Sequence, residues 1–176
     1  KSGVVLILNE YYYTMKLTNG NTLYFTGIDD DGSLENLSAD YDDIKGKRQT
    51  LSGTGFFIDK QGTIMTNRHV AQPAIDKKAV KESYNSLVAS LKAYFGAQME
   101  ELADQYRTLE NQKSDCVSFD FYGNAYQDEE KLQAITTQQG ELEEQFNQLR
   151  DVRESMNDHV SLDELQIAVV CEVGIA

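Results

Sequence analysis

Basic residues are scarce in this 176-residue chain: 16 Lys and Arg stand against 29 Asp and Glu, for a formal net charge of −13. So acidic a surface argues against nucleic acid or an anionic membrane as the main partner. Long apolar runs are missing too, and without about 18 consecutive apolar residues no segment reads as a membrane-spanning helix. Histidine and cysteine occur twice each, scattered so that no spacing suggests a zinc site. No metal-binding or cofactor-binding residues are expected. Cys116 and Cys171 lie far apart and read as independent buried residues, with a single disulfide as the alternative. The first residue is Lys1 rather than Met, so the expectation is that an N-terminal segment has been removed, by signal-peptide processing or by cloning.

What is present begins with β-structure. Val4 to Leu8 is a continuous apolar run, and Tyr11 to Leu17 is rich in aromatic and branched residues, which together read as one long or bent strand. An Asn-Gly turn at Thr18-Asn19-Gly20-Asn21 then leads into a returning strand at Thr22 to Thr26. Residues 29 to 49 are polar and acidic and read as a surface loop with little regular structure. Asp29-Asp30-Asp31-Gly32 fails the EF-hand pattern, because Gly32 comes too early and no closing Glu is in register.

The stretch that organises the chain is Gly53-Thr54-Gly55-Phe56-Phe57-Ile58-Asp59-Lys60-Gln61-Gly62-Thr63-Ile64-Met65-Thr66-Asn67-Arg68-His69-Val70-Ala71. Phe56 to Ile58 and Thr63 to Thr66 read as two short strands, with Asp59-Lys60-Gln61-Gly62 as the tight turn between them. His69 is thereby expected just past the end of a paired strand, a rigid place from which to present an imidazole. The bland alternative is an ordinary loop histidine closing a hairpin. The stretch resembles the first-barrel signature of trypsin-like serine proteases of the bacterial Deg/HtrA kind: a Gly-Ser/Thr-Gly-Phe strand, a hairpin, then Thr-Asn-x-His-Val. Ser2-Gly3-Val4-Val5 is similar to the short apolar strand that opens that barrel.

The resemblance implies that His69 is the general base of a Ser-His-Asp triad, taking the proton of the attacking serine and returning it to the leaving amine. It further implies a protein or peptide substrate and an extracytoplasmic location, periplasmic or secreted, in a bacterium. No Gly-x-Ser-Gly-Gly segment occurs in the sequence, so the nucleophile is not in this chain. Ile167-Ala168-Val169-Val170 looks like the strand that follows the triad aspartate, yet Gln166 stands at the aspartate position. Three explanations are open: Gln166 is a true substitution, Asp163 serves from a shifted position, or the aspartate lies beyond Ala176. The last is preferred, because little chain is left for the strands that should separate histidine from aspartate.

After the single proline, Pro73, the period of the chain changes from two to about three and a half. Val80, Tyr84, Leu87, Leu91, Tyr94, Leu102, Tyr106 and Leu109 mark a helix over 79–112, about 50 Å long at 1.5 Å per residue. Residues 114–128 read as a tip, in which Val117, Phe119 and Phe121 alternate with polar neighbours before Tyr122-Gly123-Asn124 turns the chain. Leu132, Ile135, Leu142, Phe146, Leu149, Val152 and Met156 mark a second helix, interrupted by Gln138, Gln139 and Gly140. Two such helices are expected to pack as an antiparallel coiled-coil hairpin. Aromatics such as Tyr94, Phe95, Tyr106 and Tyr126, if exposed, point instead to partner recognition or self-association through the arm.

The expected architecture is α+β. A partial trypsin-like β-barrel over 1–73 and 159–176 carries an inserted helical hairpin over 74–158. Since the chain stops at an apolar strand, it is expected to be part of a longer protein. The expected function is the N-terminal portion of a serine endopeptidase, inactive alone. The alternative is a non-catalytic, protease-derived binding module whose arm docks a protein.

Overall fold

The computed structural model describes residues 3–156 and 166–175. The chain is α+β, with a curled antiparallel sheet and a long helix. It divides into two compact units, Lys1–Leu87 with Asp158–Ala176, and Val88–Asn157.

The first unit is organised on strand β1 (Val4–Lys16). Along it, alternate residues point to one face: Ile7, Asn9, Tyr13 and Met15 are buried, whereas Val4, Leu6 and Leu8 on the other face are exposed, as the period of two in a strand requires. The apolar run at Val4 to Leu8 is thus covered on one side only. β2 (Thr22–Phe25) pairs with the end of β1 through the expected Asn-Gly turn, where Gly20 takes a φ of +88°, a conformation open to glycine at no steric cost. β5 (Gln49–Phe57) pairs with Val4 to Tyr11 of β1, and the last strand, β9 (Gln166–Ile175), pairs with Ile7 to Lys16. Because Tyr11 and Tyr13 each meet β9 as well as β5 or β2, β9 occupies one edge of β1 while β2 and β5 share the other. Arg48 fastens the arrangement by pairing with Glu10 of β1 and Glu172 of β9.

The acidic segment is more ordered than its composition suggests. It starts within a small hairpin, formed by β3 (Gly27–Ile28) just before it and β4 (Leu34–Glu35), and it contains two 3-10 turns at Tyr41–Asp43 and Lys45–Lys47. The anchor is Ile44, fully buried with Phe25, Met15 and Val80. Several of its carboxylates serve as turn caps: Asp29 accepts from the amides of Asp31 and Ser33, and Asp40 from that of Asp42, the local bonding that favours Asp in turns.

Tyr13 stacks on Phe25 with ring centroids 5.3 Å apart. Burial, then the neighbouring Tyr11, pushes its phenol up to about 12. The folded state thus favours the neutral phenol, and this contribution is complete below the ordinary value near 10 and lost as pH rises from there through 12. We expect the wild-type unfolding midpoint in denaturant to fall over that window. Tyr13→Phe should remove that part of the alkaline slope.

The second unit holds most of helix α2 (Lys77–Lys113), a tip hairpin of β7 (Val117–Phe119) and β8 (Ala125–Gln127), and helix α3 (Glu129–Ser155). The helices run antiparallel: Glu110 accepts from Gln139 Nε2 at 2.8 Å, and Tyr106 hydrogen-bonds Glu143. Among the described residues only Val88, Cys116, Ile135 and Gln139 are buried here, while the remaining stripe residues are half-buried or, like Leu91, Tyr94 and Val152, exposed. Two helices alone cannot cover a stripe from every side. At the tip Asp120 accepts from the amides of Tyr122 and Asn124, each at 2.8 Å, and Phe119, Phe121, Tyr122 and Tyr126 are exposed. Both cysteines are free thiols.

Candidate functional site: the His69 cleft

The strand pair that leads to His69 forms in the expected register, with Gly55 opposite Thr66, Phe56 opposite Met65 and Phe57 opposite Ile64 of β6 (Ile64–Thr66). Its turn is closed by Asp59, whose carboxylate accepts from the amides of Gln61 at 3.0 Å and Thr63 at 2.9 Å. Hydrogen bonds from the Thr63 side chain and backbone hold that carboxyl below its ordinary value. Thr66 then donates its hydroxyl to the Thr54 carbonyl at 2.8 Å, fastening the end of β6 to β5.

Directly after β6 the chain forms one turn of helix, α1 (Arg68–Ala71), with the Asn67 carbonyl accepting from Val70 N at 2.9 Å. His69 and Arg68 face solvent while Val70 is buried. Val70 is what holds this turn in place. A Cβ built on Gly53 would lie 2.6 Å from Val70 Cγ1 and closer still to Cγ2, so glycine is required there for α1 to sit on β5. Gly55 is needed similarly: its Cβ would meet Ile64 at 2.6 Å and Ile7 at 2.8 Å. The Gly-Thr-Gly of the sequence is therefore two sites of close approach, one under α1 and one under β6.

A second anchor is Asn9, which the sequence pattern did not single out. It is fully buried, and its Nδ2 donates to the Val70 carbonyl at 2.8 Å and approaches Cys171 Sγ at 3.6 Å. Its Oδ1 has no partner. A buried donor spent on a helix-end carbonyl satisfies one of the groups that a helix terminus leaves open. The available signal was an Asn in step, at a period of two, with the apolar residues Ile7, Tyr11, Tyr13 and Met15 of the same strand.

Arg68, His69, Gln72, Pro73, Ala74, Ile75, Lys77, Ile167 and Val169 line a cleft of about 570 Å³. The cleft thus brings the histidine turn together with the start of β9. Gln166 pairs by its backbone with Lys16 at the first position of that strand, immediately before the cleft-lining Ile167. Asp163 lies outside the described residues. Between α1 and β9, the only strands among the described residues are β7 and β8, which belong to the other unit. Searches of protein-family models, curated proteins and solved structures find nothing that matches this chain.

Proposed function

We propose that this chain is the histidine-bearing first-barrel portion of a trypsin-like serine endopeptidase, extracytoplasmic and of the bacterial Deg/HtrA kind. The observation that carries this reading is the placement of His69: an exposed imidazole on a one-turn helix, pinned to β5 through Val70 and Gly53, beside a cleft that β9 completes. A general base has to be held by a rigid scaffold yet remain open to substrate. In this role His69 would accept the serine proton at one ring nitrogen. The serine, and the carboxylate that orients the other nitrogen, would come from segments outside these residues.

A base without a nucleophile performs no acyl transfer. The 176-residue chain should therefore neither react with a fluorophosphonate probe nor cleave casein, whereas a longer gene product carrying a Gly-Asn/Asp-Ser-Gly-Gly segment should do both. Failure of that longer protein to react at neutral pH would remove the enzyme reading.

The second reading is a non-catalytic module. It is favoured by Gln166 at the aspartate position of the resembled pattern and by the tip aromatics, of which Phe121 is 97% and Tyr122 86% exposed. Large exposed aromatics are characteristic of recognition surfaces. A stop codon or a replaced serine downstream of Ala176 would favour this reading.

A further inference from the structure

We propose that the cleft beside His69 binds a peptide carboxylate, selected by Arg68 and Lys77. The proposal rests on the endopeptidase reading and deepens it by assigning a substrate class, acidic peptides, to the same site.

The chain has far fewer cations than anions, and five of the cations are paired within one or other unit: Arg48 by Glu10 and Glu172, Lys78 by Glu82, Arg107 by Asp104, Lys113 by Glu110, Arg150 by Asp151. Others, such as Lys16, Lys45 and Lys60, are unpaired among the described residues but do not line the cleft. Arg68 and Lys77 enter no ion pair among the described residues, and both line the cleft. No carboxylate among the described residues lines it with them. The nearest acid in sequence, Asp76, is committed to the backbone, its Oδ1 accepting from Lys78 N at 2.9 Å and Ala79 N at 3.3 Å. The cleft therefore collects two uncommitted cations within a surface of opposite overall sign.

The remaining wall is apolar. Pro73 and Ile167 are buried and Ile75 and Val169 half-buried, so the site joins an aliphatic floor to a cationic rim. At about 570 Å³ it lies within the usual range for ligand clefts. The matching ligand is a peptide that places an aliphatic side chain on the floor and a carboxylate at the rim. A polyanion such as nucleic acid fits poorly, because two cations cannot offset repulsion from the rest of the surface. That same repulsion would keep a short acidic peptide off most of the surface and favour a cleft whose charged lining is cationic. Exposed ion pairs contribute modestly and are screened by salt, so the preference should be several-fold and should fade at high ionic strength.

The carboxylate could be an Asp or Glu side chain or the peptide C-terminus, and three labelled octapeptides of one aliphatic sequence separate these. One carries an internal Glu and an amidated C-terminus, the second a Gln and a free C-terminus, the third a Gln and an amide. Fluorescence anisotropy at low salt should show at least one carboxylate peptide binding about 5- to 10-fold more tightly than the third, the winner identifying the source. Arg68→Gln combined with Lys77→Gln should abolish that difference, and Arg68→Glu with Lys77→Glu should invert it; both residues are exposed, and circular dichroism checks that the variants fold. Equal binding of all three peptides, or a preference that survives the double neutral variant, overturns the proposal. Fluorophosphonate reactivity decides the enzyme reading separately. A longer protein that carries the serine segment, binds the acidic peptide through Arg68 and Lys77 and yet ignores the probe keeps the carboxylate site and loses the endopeptidase, and a reactive longer protein with no charge preference does the reverse.

Discussion

In a longer protein that carries the nucleophile, His69→Ala should lower turnover by on the order of 10⁴- to 10⁶-fold, the scale on which loss of a triad base is felt, while leaving the unfolding midpoint nearly unchanged. The two halves of this expectation have separate origins. The imidazole faces solvent on α1, and the contacts that hold α1 are made by its neighbour Val70, so truncating the ring removes no core packing. An exposed substitution of this kind usually shifts stability by no more than about 0.5 kcal/mol. Steady-state kinetics on a peptide substrate, paired with a denaturant melt, checks both at once. A variant that loses its fold would show His69 to be structural, and one that keeps its activity would show that another group is the base.

Gly53→Ala should have the largest effect on the scaffold. The added methyl would meet both Cγ atoms of Val70, at 2.6 Å for Cγ1. Val70 is β-branched and buried, so it has little rotamer freedom with which to give way, and α1 or β5 must shift instead. Overpacking of this kind costs about 1–3 kcal/mol. Displacing α1 also moves His69, so catalysis in the longer protein should drop together with stability, unlike the split expected for His69→Ala. Adding Val70→Ala makes room for the methyl, and the double variant should be more stable than the sum of the single changes allows. Denaturant midpoints of the four proteins measure the coupling, and strict additivity would mean that Gly53 and Val70 do not constrain one another.

Much of the scaffold was legible because its signals are local. The Asn-Gly turn, the Asp59 to Gly62 turn and the period of two in β1 each depend on a few adjacent residues, and the stripes of α2 and α3 give the helical hairpin in the same manner. Ile44 was not legible: a single apolar residue in an acidic segment has no period, and only the three-dimensional packing shows that it is fully buried. The site divides along the same line. His69 was marked by its motif, but the reason for Gly53 lies 17 positions away in Val70, and the role of Asn9 lies 61 positions away in the same residue. Arg68 and Lys77 become notable only once the fold places both on one cleft with no carboxylate among its described lining. Spacing along a chain does not report which charges are already satisfied.

The pairing of β1 with both ends of the described chain has a consequence in time. β2 and β5 can reach β1 soon after they are made, but β9 meets it only at separations such as Lys16 to Gln166 and Ile7 to Ile175. At 5–20 residues per second a ribosome needs roughly 8–30 s to make the intervening chain, and for that interval one whole edge of β1 has no partner. Closure of so distant a contact is an entropically late event whose cost grows only slowly with loop length. The helical hairpin, built from local contacts and able to form by itself on a far shorter timescale, would be complete before β9 arrives and would shorten the effective loop that β9 has to close. The nascent chain should therefore pass through a state in which the hairpin is formed and β1 is open along one edge, which is the period of greatest exposure to strand-mediated aggregation.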